Sequence, residues 1–371
     1  MKITIVGAGN MGLAMTAYMA KKQCSVTLFT SRSVEVLSLL DVEQEKLSKV
    51  SGYTITDSPE KAFGDVDVIF CTYPAFLRKR FLEQNARHIK KGAALGFVPG
   101  YGGIEYQCKS LIESGITIFA LQRVPYVARA KSDGTVYQAE ILSKKSRLFT
   151  GAIPALYTKR ISEMIEDLLD IPCTPLHEYL SITLAPSNPL FHITGLYTTF
   201  KDWKLGMAFD HPLRFYTEWN DETSQILFRY DAELQTICSR LTGFAMDEVV
   251  PLSIYYESDT PEKMTAKLKS IKAFEAVMVP LKQSEQGYVP DFESRMFVED
   301  FPYGVCIIKD FALMTGTETP IVDMMLEFYR KLTGYTYFNP DGSYAKDIQT
   351  TGIPGLNGIH DLKALDTFYH Q

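Results

Sequence analysis

The amino terminus constrains this chain more than any other stretch. It reads Met1-Lys-Ile-Thr-Ile-Val-Gly-Ala-Gly-Asn-Met-Gly12, and an apolar run follows at once. Residues 3–6 have the pattern of a short buried parallel strand, and Leu13, Ala14, Ala17, Tyr18 and Ala20 that of an apolar helix. Strand, glycine turn and helix in this order are the context a dinucleotide fingerprint requires. Gly7 permits the sharp turn, Gly9 leaves the backbone open to a pyrophosphate, and Gly12 lets the helix lie close to the sheet. Asn10 and Met11 fall at the helix start, where unpaired amides face an anion. A glycine-rich turn in an unrelated α/β protein is the competing reading, which position and flanks disfavour.

Residues 26–29 form a second apolar strand, whose end should lie beside the adenosine ribose. An acidic residue there would hold the 2′-hydroxyl of NAD, but the chain runs Thr30-Ser31-Arg32 and has no carboxylate until Glu35. Ser31 and Arg32 suit a 2′-phosphate, so NADP is favoured, with NAD kept open. The bland alternative makes Arg32 a solvated residue at a helix start.

At 371 residues the chain exceeds the usual size of one core and should form two domains. Its 38 basic and 44 acidic residues give a net charge of −6 with no long basic block, which argues against a nucleic-acid partner. The six cysteines are far apart and lack metal-ligand spacing, so no metal is expected and they read as reduced thiols of a cytoplasmic protein. A strand starting at residue 3 leaves no room for a signal peptide, and no apolar run is long enough to span a bilayer. The expected partners are small molecules, with a homodimer left open as the protein assembly.

Further strands are expected at 66–72, 93–98 and 116–121, separated by helix-length segments, which argues for a doubly wound parallel sheet. Thr72 ends one strand and Tyr73-Pro74 follows it, and Pro99 and Gly100 begin a glycine-rich loop after the next; such loops border the binding crevice. Gly100, Gly102 and Gly103 would let backbone approach a ligand, or are simple turn formers. Residues 136–143 and 147–150 suggest a hairpin, and 155–169 a helix. From about residue 178 helical patterns dominate, at 216–241, 261–271, 303–315 and 320–332. The expected architecture is a Rossmann-like α/β domain at 1–175 and an all-helical domain at 176–371, with a crevice between them.

Of six histidines, His192 stands apart in Pro186-Ser-Asn-Pro-Leu-Phe-His-Ile-Thr-Gly195, where Asn188 and Pro189 announce a helix start. It would lie in the first turn, with Gly195 leaving clearance for a ligand. An imidazolium near a helix amino terminus needs an opposing carboxylate. The segment 293–304 holds Arg295 and Asp300 around an apolar stretch read as extended. Asp300 could orient His192 and stabilise its charged form, and Arg295 could clamp a substrate carboxylate. A packed histidine, a capping aspartate and a surface arginine are the bland alternatives.

Taken together, the fingerprint, Pro99-Gly-Tyr-Gly-Gly103, Asn188-Pro-Leu-Phe-His192 and Ser294-Arg-Met-Phe-Val-Glu-Asp-Phe-Pro-Tyr-Gly304 resemble the octopine/nopaline, or opine, dehydrogenase family. Thr319-Pro-Ile-Val-Asp323 and Leu332-Thr-Gly-Tyr335 are similar to its carboxyl-terminal domain. The resemblance implies NAD(P)H-dependent reductive condensation of a 2-oxo acid such as pyruvate with the amino group of an amino acid or related amine. It implies that His192 is the general acid/base, Asp300 its partner and Arg295 the oxo-acid ligand, and it groups Asn188 with the substrate-binding residues. The runner-up is a ketopantoate-reductase-like or 3-hydroxyacid dehydrogenase, for which Lys201 and Lys204 are available. A non-catalytic NADP-binding regulatory protein is the alternative from another class.

Overall fold

The computed structural model describes all residues except 23, 32–37, 44–45, 133–135, 186 and 371. Arg32 and Glu35 therefore lie outside the described residues. The chain divides into two compact units, Met1–Thr183 with Asp366–Gln371, and Leu184–Leu365. The first unit thus runs past the expected boundary at 175 and takes back the end of the chain.

The first unit is built on an eight-stranded sheet. Numbered along the chain, its strands are β1 Lys2–Val6, β2 Ser25–Phe29, β3 Tyr53–Thr56 and β4 Val68–Cys71. They continue as β5 Ala94–Phe97, β6 Thr117–Leu121, β7 Leu148–Ile153 and β8 Cys173–Pro175. Their spatial order is β3-β2-β1-β4-β5-β6-β7-β8. The first six are parallel and follow the dinucleotide-binding order, reversing direction of winding beside β1. Every residue of β4 and β5 is buried, as strands covered on both faces must be.

Two sequence expectations fail in this unit. The proposed hairpin does not form. Leu148–Ile153 runs antiparallel beside β6, whereas Val136–Lys144 pairs with Tyr126–Ser132 and Ser38–Glu43 in a separate four-stranded sheet. The sheet is consequently mixed and not wholly parallel. The short linker between the two segments fits a hairpin equally well, and only the available sheet edges decide between the two pairings.

The second unit is helical except for one hairpin, Leu281–Ser284 with Gly287–Pro290, so it is not all-helical. Its main helices are Ser187–Phe200, Asp221–Arg240, Pro261–Ser270, Cys306–Thr315 and Pro320–Thr333. Asn220 caps Asp221–Arg240 through a side-chain bond to the Thr223 N–H, which starts that helix five residues later than the apolar pattern suggests. The 293–304 segment is helical too. Arg295–Val298 is one α-turn, and Phe301–Val305 is a π-turn leading into Cys306–Thr315. Among the described residues, no helix is long and apolar enough to cross a membrane.

Candidate active site

In the first unit, the glycine turn forms a cradle at the carboxyl ends of β1 and β4. Gly7 has φ +101°, a left-handed conformation that costs a side-chain-bearing residue energy. A Cβ on Gly12 would lie 1.8 Å from the Gly7 carbonyl oxygen, so only glycine lets the helix Asn10–Ala20 sit this close. A Cβ on Gly9 would meet nothing within 4 Å, which leaves open space at the helix start. Thr72 and Tyr73 border the same turn: Thr72 Oγ1 donates to the Val6 carbonyl at 2.8 Å, and the Tyr73 ring would lie 3.0 Å from a Gly7 Cβ.

Other candidates in this unit are placed differently. The Asn10 side-chain oxygen accepts the Ala130 N–H at 3.0 Å, so that oxygen serves the second sheet. Met11 is half-buried and packs against the core. Ser31 is exposed just beyond β2. Gly100 is buried, and the space its side chain would fill is taken by Ala120, 2.2 Å from a Cβ, and Ile182. Its smallness therefore serves packing and not ligand approach. Pro99 beside it is half-buried.

In the second unit, His192 and Asp300 come together although 108 residues separate them, with Nδ1 2.7 Å from Oδ2. His192 lies in the second turn of Ser187–Phe200, not the first, because the helix begins before Pro189. Asp300 is 3% exposed, and burial pushes its carboxyl above the usual range while the His192 ring pulls it back down. Among the described residues, Nε2 of His192 has no hydrogen-bond partner, and the side chain retains 18% exposure. Such a pair can accept a proton at Nε2 and stabilise the resulting imidazolium through the buried carboxylate.

Two glycines allow this meeting. A Cβ on Gly304 would lie 2.4 Å from Pro189, so glycine lets the π-turn approach the helix that bears His192. A Cβ on Gly195 would lie 2.3 Å from the Phe215 ring, which also packs edge-on against His192 with centroids 5.8 Å apart. Gly195 thus makes room for Phe215 and not for a ligand. Phe215 went unnoticed in the sequence, since it lies in irregular chain and no periodicity marks it.

Arg295 is largely exposed and bonded to the buried Glu299, with Nε and one terminal nitrogen 2.7 and 2.5 Å from Oε2. The i,i+4 spacing of these two residues was readable once the segment is taken as helical. Asn188 is exposed in the first turn of its helix. Lys201 pairs with Glu222 at 2.7 Å, and Lys204 is exposed. No cluster with metal-binding composition occurs among the described residues.

Residues 175–333 match the family model for the NAD/NADP octopine/nopaline dehydrogenase alpha-helical domain. The helical part of the chain is thus similar to that of the octopine/nopaline dehydrogenase family. Residues 3–139 match the ketopantoate reductase PanE/ApbA model, whose span is confined to the first unit. Octopine dehydrogenase of Mizuhopecten yessoensis is 22% identical over 99% of this chain and 98% of its own. Opine dehydrogenase of Haliotis discus hannai is 27% identical, over 85% of this chain and 82% of its own. Among solved structures, octopine dehydrogenase with NADH and L-arginine superposes with a TM-score of 0.85 at 22% identity. That match covers 98% of this chain and 97% of the other, and it establishes the shared fold.

Proposed function

We propose that this protein is an NAD(P)H-dependent oxidoreductase acting on CH–NH groups. It condenses a 2-oxo acid with the amino group of an amino acid and reduces the imine. The observation that carries this reading is the His192–Asp300 contact at 2.7 Å, in a helical unit similar to that of this family. Relatives support it by name: one structure of octopine dehydrogenase holds NADH and L-arginine and another NADH and pyruvate.

A dinucleotide fits the first unit. Gly9 leaves the approach to the helix amino terminus open, and Gly7 and Gly12 bring that terminus against the sheet. When bound, the nucleotide supplies hydride to the imine carbon. In the second unit His192, held through Nδ1 by Asp300, exchanges protons at Nε2 as water leaves the condensing pair and as the amine forms. Arg295 holds the oxo-acid carboxylate through its planar fork of donors, with Glu299 steadying one edge of the guanidinium. Asn188 assists in substrate binding. Ser31 and Arg32 favour the 2′-phosphate of NADP.

The ketopantoate-reductase match of the first unit favours a second reading, simple reduction of a 2-oxo acid. The surface pairing of Lys201 weighs against it. A mass-resolved screen of 2-oxo acids with amino acids and other amines decides between them. The opine reading expects a product equal to both substrates minus water plus two hydrogens; a hydroxy acid formed whether or not an amine is present overturns it. In the same assay, Arg32→Ala should weaken NADPH binding far more than NADH binding, and an equal loss removes the NADP preference.

A further inference from the structure

The loop after β5 is unusually rich in conformational freedom. It passes through Gly100, Gly102 and Gly103, the last two with φ +109° and +71°. Such a turn holds one shape only if its surroundings impose it. Two buried ionisable residues do so, and neither belongs to the dinucleotide fingerprint.

Arg78, on the helix Ala75–Asn85, is 1% exposed. Its Nε donates to the Tyr73 carbonyl at 2.9 Å, and its terminal nitrogens donate to the carbonyls of Tyr101 at 2.6 Å and Pro99 at 2.7 Å. One guanidinium thus ties the loop after β4 to the loop after β5. Its planar fork makes this possible, since three donors diverge in fixed directions.

Glu105, two residues past Gly103, is fully buried and clamps the far end of the same loop. Its Oε1 accepts from the Thr183 hydroxyl and, at 3.1 Å, from the Tyr369 hydroxyl. Tyr369 also bonds the Tyr106 hydroxyl at 2.9 Å. Thr183 is where the chain leaves the first unit, and Tyr369 lies in the segment with which it returns. Oε2 of Glu105 and the nearby Tyr179 hydroxyl have no hydrogen-bond partner among the described residues. The charged and titratable groups interacting with this carboxyl are Arg78, Cys108, Tyr179 and Tyr369, the last two also interacting with Tyr106.

We propose that Arg78 and Glu105 are positioning residues for the nicotinamide end of the dinucleotide, and that the returning carboxyl-terminal helix completes this support through Tyr369. The proposal rests on the first unit being a nucleotide-binding unit. The pyrophosphate cradle at Gly7–Gly12 takes its shape from its own glycines and shares only Tyr73 with this network, so the two ends of the cofactor respond differently when it is cut.

The experiment compares NADPH or NADH, whichever the unaltered protein binds more tightly, with the corresponding ADP-ribose that lacks nicotinamide. Tyr369→Phe, which removes one hydroxyl, and Arg78→Lys, which removes the fork, should each weaken the whole dinucleotide about three- to tenfold. The ADP-ribose affinity should stay unchanged. His370→Ala, one residue past the end of the helix Leu362–Tyr369 and bonded to Asp366 and Glu178, should change neither. Circular dichroism and melting identify a variant that fails to fold, and Tyr369→Phe, the mildest change, carries the test if Arg78→Lys fails in that way. Equal weakening of both ligands, or a folded Tyr369→Phe protein with full dinucleotide affinity, overturns the proposal. Failure of the unaltered protein to bind either nucleotide overturns the nucleotide reading itself, and this proposal with it.

Discussion

The two units carry sites of opposite construction. In the first, the cradle is made of what is missing: glycines at 7, 9 and 12, close together in the chain, expose backbone amides at a helix start. In the second, the pair is made of side chains from elements 108 residues apart, brought together by packing. A backbone site tolerates almost no added atom and is insensitive to side-chain chemistry. A side-chain site depends on the protonation and orientation of two particular groups. This difference predicts how each should fail.

The sharpest break should come at the dyad. His192→Ala or Asp300→Asn should lower turnover about 10²- to 10⁴-fold while nucleotide affinity stays near that of the unaltered protein. The double variant should lose little more than either single one, because two groups acting as a unit are not additive. Additive losses, measured in a double-mutant cycle, would separate the two residues functionally.

At the cradle the effect should be smaller and confined to binding. Gly12→Ala places a methyl 1.8 Å from a backbone oxygen, which cannot rotate away as a side chain can. Overpacking of about 1–3 kcal/mol corresponds to roughly ten- to hundredfold weaker nucleotide binding. Titration of the nucleotide checks this; a Gly12→Ala protein of full affinity would show that the helix can retreat without harm.

Gly195→Ala joins the two modes of failure, because a glycine here serves a side-chain site. The added methyl displaces the Phe215 ring, which is wedged among Tyr216, Trp219 and His192. Turnover should fall by about tenfold with the substrate KM values less affected, since the ring packs edge-on against His192. A KM increase with kcat unchanged would point to a substrate contact instead.

The effect on turnover and binding is smallest where the change is electrostatic and confined to stability, in the first unit. Burial pushes the Glu105 carboxyl up to about 7, from an ordinary 4.5, against the pull of its hydrogen bonds from Thr183 and Tyr369. Folding therefore favours the protonated form. This contribution is full below the unfolded value and is lost as pH rises through about 7, amounting to at most about 3 kcal/mol. Glu105→Gln should flatten the decline in stability between about pH 5 and 8, read from denaturant midpoints. A parallel pH dependence in both proteins would place the titration elsewhere.

The nucleotide half of this protein is legible in its sequence alone. A fingerprint is local: strand, turn and helix are consecutive, and the glycine requirement arises between near neighbours in the chain, as at Gly7 and Gly12. The periodicity also placed the helices of the second unit, with Pro320 opening one and Gly334, at φ +80°, closing it. The 293–304 segment was misread as extended because short apolar runs suit a strand and a tight helical turn alike. His192 and Asp300 could be singled out by chemistry and by resemblance, but no local rule puts them 2.7 Å apart. Packing in three dimensions settles that, through Gly304 yielding to Pro189 and Gly195 yielding to Phe215. The support of the β5 loop by Arg78, Glu105 and Tyr369 was equally hidden, since its partners lie as far as 264 residues apart and meet only where the chain returns to the first unit. Backbone geometry is written in neighbouring residues, whereas contacts between distant side chains exist only once packing has chosen which surfaces touch.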